Sequence, residues 1–121
     1  MKFERELLKG VAPMAVLEVL TREPMYGYQL STVLAESSGE ILTLGRGSLY
    51  PLLYNLETKG YVKAEEREAD TGRRRRYYAI TSQGRKQLAR SRKQWKKLRE
   101  GMDHLFAGAP QGHALSRGGM A

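Results

Sequence analysis

The chain has 121 residues, no cysteine, and 21 Lys and Arg against 13 Asp and Glu, for a formal net charge of +8. That length supports one core with or without an appendage, and the lack of cysteine excludes a disulfide framework and leaves only His104, His113 and carboxylates for any zinc site. No basic-then-apolar leader opens the chain and no apolar run approaches the roughly 20 residues that span a bilayer, so the expectation is a cytoplasmic protein with no membrane partner; the charge points instead to a polyanion.

Residues 4–12 read as a short amphipathic helix with Leu7, Leu8 and Val11 on one side, interrupted by Gly10 and Pro13. A second helix is predicted to start at Pro13, a residue suited to a first helical position, and to run to about Glu23 before Pro24 ends it. Its Met14, Val16, Leu17, Val19 and Leu20 cover more than one face, as in a helix lying between two layers. Residues 26–38 give the next helix, burying Tyr28 or Leu30 with Val33 and Leu34, and Gly39 is its stop. A linker carrying Ile41, Leu42 and Leu44 follows.

Residues 45–60, GRGSLYPLLYNLETKG, are the stretch around which the rest is organised. Leu49, Leu52, Leu53 and Leu56 recur at helical spacing, so one stripe is buried and the other side stays free. That free side carries Gly47, Ser48, Pro51, Tyr54, Asn55 and Thr58, with Tyr50 on its flank and Arg46 at its entrance. These side chains are small, flat or hydrogen-bonding and none is acidic, which suits close approach to phosphates and base edges. Pro51 is expected in the first turn, with Gly47 or Ser48 near the cap, and Gly60 supplies a left-handed stop. A helix, a short turn and a second helix form the arrangement that presents the second helix to the DNA major groove.

After Gly60 the period becomes alternating. Two strands are predicted with a turn near Asp70 to Gly72, Tyr61, Val62 and Ala64 facing inward from the first, and Tyr78 and Ile80 from the second. Arg73, Arg74, Arg75 and Arg76 are placed at the tip, where guanidinium groups grip phosphates or enter a narrow minor groove. A long helix from about Ser82 to Phe106 closes the ordered chain. Leu88, Trp95 and Met102 are spaced by seven, as are Ser91, Leu98 and Leu105, so this seam asks for a second copy, with the first helix completing the interface. Trp95 either fills a dimer core or, paired across a two-fold axis, walls a slot for a planar ligand. The basic residues Lys93, Lys96, Lys97 and Arg99 read as an exposed face.

The string GRGSLYPLLYNLETKGYV from Gly45, then GRRRRYYAIT from Gly72, then a long helix carrying Trp95, resembles the PadR family of bacterial transcriptional regulators. The preceding MYGYQL from Met25 fits as well. The resemblance implies a winged helix-turn-helix dimer acting as a repressor. A single C-terminal helix is similar to the short subclass, some of whose members bind flat hydrophobic compounds between the subunits. By the same resemblance, Tyr26, Gln29, Ser48, Tyr50, Pro51 and the wing arginines are DNA positions, and Ala79 stands where the family often has a basic residue.

The expectation is a mainly α fold with a small two-stranded β wing. A winged helix-turn-helix DNA-binding domain covers 1–81, a dimerisation helix 82–106 and a disordered tail 107–121. Double-stranded DNA is contacted by Tyr26, Gln29, Arg46, Ser48, Tyr50, Pro51, Tyr54, Asn55 and the four arginines. Leu7, Leu8, Leu88, Ser91, Trp95, Leu98 and Met102 line the homodimer interface and a site for a small planar hydrophobic effector that releases the repressor from a near-palindromic operator. The alternative is a non-specific nucleic-acid-binding or architectural module without an effector. No nucleophile is paired with a base, and there is neither a glycine-rich phosphate loop nor a metal cluster, so no catalytic residue, cofactor or metal is expected.

Overall fold

In the computed structural model, which describes residues 3–108, one helix, α1 (Arg5–Leu20), runs where the sequence predicts two. Pro13 lies inside it. The missing N–H of Pro13 leaves the Lys9 carbonyl without its helical donor, but Lys9 is exposed, so that carbonyl is not orphaned in the core. An interior proline costs about 3 kcal/mol. Ala12, Val16, Leu17, Val19 and Leu20 are buried on this helix, and full burial of a single valine or leucine contributes about 1.5–3 kcal/mol. Packing therefore overrides the break.

Strand β1 (Met25–Tyr26) and helix α2 (Gly27–Ser37) follow. Leu30 and Leu34 are buried while Tyr28 is exposed, which resolves the sequence alternative in favour of Leu30. Gly39 (φ 66°) ends α2 in the left-handed region, as predicted. Glu40 adopts a similar φ. Two hydroxyls hold the turn that follows: Ser38 Oγ accepts from the Leu42 N–H at 2.8 Å, and Ser31 Oγ donates to the Leu44 carbonyl at 3.3 Å.

Helix α3 (Arg46–Thr58) begins a turn earlier than the position of Pro51 suggested. Gly45 caps it without a side-chain hydrogen bond, and Pro51 falls in the second turn. The carbonyl that Pro51 cannot serve belongs to exposed Gly47, so the first turn forms at little cost. Gly60 (φ 81°) terminates the helix as expected.

Strands β2 (Val62–Glu68) and β3 (Arg74–Ile80) pair antiparallel, from Val62 opposite Ile80 to Glu68 opposite Arg74. Ala69 to Arg73 close the hairpin through an Ala69 N–H to Arg73 carbonyl bond of 2.7 Å, with Gly72 at φ 84°. The wing has three strands rather than two. In the order β1-β3-β2, Met25 lies opposite Tyr78 and Tyr26 opposite Tyr77. Two residues are too few to show an alternating pattern, so only the pairing reveals β1.

Helix α4 (Ser82–Phe106) occupies the predicted span. Thr81 starts it: its Oγ1 accepts from the Gly84 N–H at 2.9 Å and donates to the Gly60 carbonyl at 2.7 Å. The described residues fall into two compact units that divide inside α4, between Ala89 and Arg90. The first holds the core, in which Val16, Leu17, Leu30, Leu49, Leu53 and Val62 are almost fully enclosed. The second continues α4 with exposed Leu98, Leu105 and Phe106. The tail predicted as disordered lies outside the described residues from 109 onward.

Candidate nucleic-acid interface

Leu49, Leu53 and Leu56 anchor α3 in the core, and the turns between them hold the opposite face outward. Ser48, Pro51, Tyr54 and Asn55 are exposed there, Tyr50 is exposed on the flank and Arg46 at the start of the helix. The two tyrosines behave differently. Tyr54 is 72% exposed and shields no core, whereas Tyr50 lies across Gly27 of α2, in space that a β-carbon on Gly27 would fill. Gly27 thus lets the two helices of the pair approach. Thr58 spends its hydroxyl on the Tyr54 carbonyl at 2.9 Å.

The arginine tract does not crowd the tip. Arg73 is in the turn, but Arg74, Arg75 and Arg76 lie in β3 and alternate between the two sheet faces. Arg76 reaches back to α3 and donates to both Glu57 carboxylate oxygens, at 3.3 and 3.1 Å. Hydrogen bonding to Tyr78 and then to Glu57 pushes its pKa above an already high value, so it remains a cation. Arg74 pairs with Glu66 at 3.3 Å across the hairpin. On the other face the Arg75 guanidinium stacks 4.2 Å from the centre of the Tyr26 ring. Tyr26 also meets Tyr77 edge-on at 5.5 Å, and Arg67 lies 5.1 Å from the Tyr77 ring. The Arg67 hydrogen bond, then its charge, holds the Glu65 carboxyl below the usual carboxylate range.

The predicted DNA positions therefore sort into three groups. Ser48, Pro51, Tyr54 and Asn55 share the free face of α3, with Tyr50 on its flank and Arg46 exposed at its first residue. Tyr26 is half-buried in the small sheet, where it orders Arg75, and half-buried Gln29 is in the first turn of α2. Of the arginines, Arg73 is exposed in the turn, Arg75 is stacked, and Arg74 and Arg76 are ion-paired. The Glu57–Arg76 strut and the Tyr26–Arg75 stack are absent from the sequence reading, because both depend on strand register.

A recess of about 560 Å³ lies between α1 and the first turns of α3, lined by Leu8, Ala12 and Pro13 on one side and Gly47, Pro51 and Leu52 on the other. Of the predicted interface residues, Leu8 lines this recess and Leu7 is exposed. Leu88 opens the α4 seam in sequence, but the structure corrects its placement: it is spent in the core of its own chain. Ser91 is half-buried, and the exposed apolar stripe begins at Trp95 (42% exposed) and continues through Leu98 and Met102. Among the described residues no helix is long and apolar enough to cross a membrane, and no group of three or more His, Asp or Glu is placed to hold a metal.

A helix pair that leaves its second helix uncovered, followed by a small antiparallel sheet rich in arginine, defines a winged helix-turn-helix protein. Residues 16–90 match the model of the transcriptional regulator PadR-like family, and the chain belongs to that family of transcriptional regulators. Solved structures agree. A transcriptional regulator from Clostridium thermocellum superposes with a TM-score of 0.75 at 26% identity, covering 81% of this chain and 95% of that one. A PadR-like transcriptional regulator from Bacillus cereus gives 0.73 at 30% identity over 85% and 98% of the two chains. A PadR family transcriptional regulator from Eggerthella lenta gives 0.69 at 36% identity over 84% and 82%.

Proposed function

We propose that the protein is a dimeric, sequence-specific repressor that lays the exposed face of α3 in the major groove of a near-palindromic operator. The observation that carries this reading is the two-sidedness of α3: three buried leucines fix it, while Arg46, Ser48, Tyr54 and Asn55 stand uncovered beside an arginine-bearing strand. Phosphate contacts from Arg73 and Arg75 supply affinity, and the α3 side chains supply register and base choice. The Trp95, Leu98 and Met102 stripe joins two copies, with Leu7 of α1 contributing, so that two α3 helices reach successive major grooves about 34 Å apart. A planar hydrophobic effector enters beside Trp95. It releases the operator only through its different affinity for two separations of the α3 helices. Such a repressor works in the cytoplasm, beside the DNA.

The test begins by selecting bound sites from a pool of genomic fragments, then measures operator affinity across salt for the wild type, an Arg73→Ala/Arg75→Ala variant and Tyr54→Ala. Loss of two phosphate contacts in each protomer, four in the dimer, flattens the slope of log K against log salt by about 3.6. Tyr54→Ala changes folding stability by less than about 0.5 kcal/mol, as for an ordinary surface residue, and lowers operator affinity about five- to thirty-fold, equivalent to about 1–2 kcal/mol. An unchanged slope removes the wing from the reading. Equal affinity for every fragment favours the architectural module.

A further inference from the structure

Most of the net positive charge of this protein lies outside the segment that carries α3 and the wing. Residues 1–81 carry twelve Lys and Arg against eleven Asp and Glu, close to balance, whereas Ser82–Phe106 carries eight against two. Helix α4 thus holds most of the surplus that makes the chain basic. On a helix at 100° per residue, Lys86, Lys93, Lys96 and Lys97 gather on the side opposite Trp95, Leu98 and Met102. All four are exposed. Lys93 is three and four residues from Lys96 and Lys97, spacings at which like charges repel. Within four positions of these lysines α4 offers one acidic residue, Glu100, which lies 4.0 Å from Lys97 and four residues from Lys96. A solvated face needs no such imbalance, because alternating signs serve solubility as well and add helix-stabilising pairs.

We propose that the lysine face of α4 is a second binding surface for duplex DNA, engaging phosphates outside the operator. This rests on the DNA-binding reading above. Phosphates are the complementary chemistry: duplex DNA presents one negative charge per ~1.7 Å of axis, and each neutralised phosphate releases counterion. The occupant is DNA because a protein held at its operator already has flanking duplex at high effective concentration. The four lysines span three turns, about 16 Å at 1.5 Å per residue, and their long stems follow a backbone without reading sequence. The surface adds residence near the site and no specificity of its own.

The experiment compares the wild type with a Lys86→Gln/Lys93→Gln/Lys96→Gln/Lys97→Gln variant on the selected operator in two lengths. One duplex is about 25 base pairs, enough for two half-sites a helical turn apart, and the other carries the same operator centred in about 80. Glutamine has nearly the helix propensity of lysine, and circular dichroism checks that α4 persists. The wild type binds the longer duplex more tightly and with the steeper salt dependence. The variant loses that advantage: with four phosphate contacts gone from each protomer, eight in the dimer, its affinity for the longer duplex falls about 10,000-fold less between 50 and 200 mM salt than that of the wild type. On the short duplex the two proteins match. A quadruple lysine-to-arginine variant keeps the length effect. Identical salt dependence of wild type and glutamine variant on the longer duplex overturns the proposal, as does a loss confined to single-stranded RNA. Failure of the wild type to prefer the operator over mixed-sequence DNA undermines the repressor reading instead, so the two failures are distinguishable.

Discussion

Thr81 joins three elements through one hydroxyl and one amide. Its Oγ1 caps α4 through the Gly84 N–H and bonds the Gly60 carbonyl at the end of α3, while its own N–H donates to the Tyr61 carbonyl at 3.0 Å. Gly84 is required beside it, because a β-carbon there would overlap the Tyr61 carbonyl, and backbone cannot swing aside as a side chain does. Thr81→Val keeps the shape and removes the cap, and is expected to cost about 1 kcal/mol. Gly84→Ala is expected to cost about 1–3 kcal/mol through overpacking, despite the better helix propensity of alanine. Urea midpoints of both variants check the order, and a Gly84→Ala protein as stable as wild type sinks the account of the α4 junction.

At the scale of elements, the wing and α3 are tied by a contact that neither supplies alone. Glu57 stands near the end of α3 and Arg76 in the middle of β3, nineteen residues apart in sequence and 3.1 Å apart in space. Half of the Arg76 side chain remains exposed, so the pair contributes little to folding, roughly 0–1 kcal/mol. Its effect is on orientation: it holds the strand that carries Arg75 against the helix proposed to read the operator. Glu57→Ala and Arg76→Ala are each expected to weaken operator binding, and the double variant to weaken it no more than Arg76→Ala alone. A double-mutant cycle on operator affinity measures that coupling. Strictly additive losses would mean that Arg76 acts by itself, for instance on a phosphate.

For the molecule as a whole, α4 carries the stripe proposed to join two copies. Leu98 is 62% exposed and Leu105 68% in the isolated chain, so changing either leaves the core of the first unit intact. Leu98→Asp is expected to give a folded monomer by sedimentation, with unchanged circular dichroism. Operator binding should fall at least tenfold as the two half-sites lose their linkage. A Leu98→Asp protein that remains dimeric removes α4 from the proposed interface. Quenching of the single Trp95 by planar aromatic compounds should disappear in the same variant if the effector site is shared between copies.

The sequence by itself determined the elements whose signal is local. The spaced leucines of α3, the left-handed stops at Gly39 and Gly60, the hairpin turn before Arg73 and the full extent of α4 could be read from neighbours three or four residues apart. Family membership was legible for the same reason, since its motifs are continuous strings. Tertiary structure decided what depends on packing between distant segments. It carried α1 through Pro13, because five buried side chains outweigh one lost hydrogen bond. It made a strand of Met25–Tyr26 by offering the edge of β3, and it took Leu88 into the core of its own chain. It also divided the arginines between ion pairs, a ring stack and open solvent, because strand register sets which acid or ring each guanidinium meets.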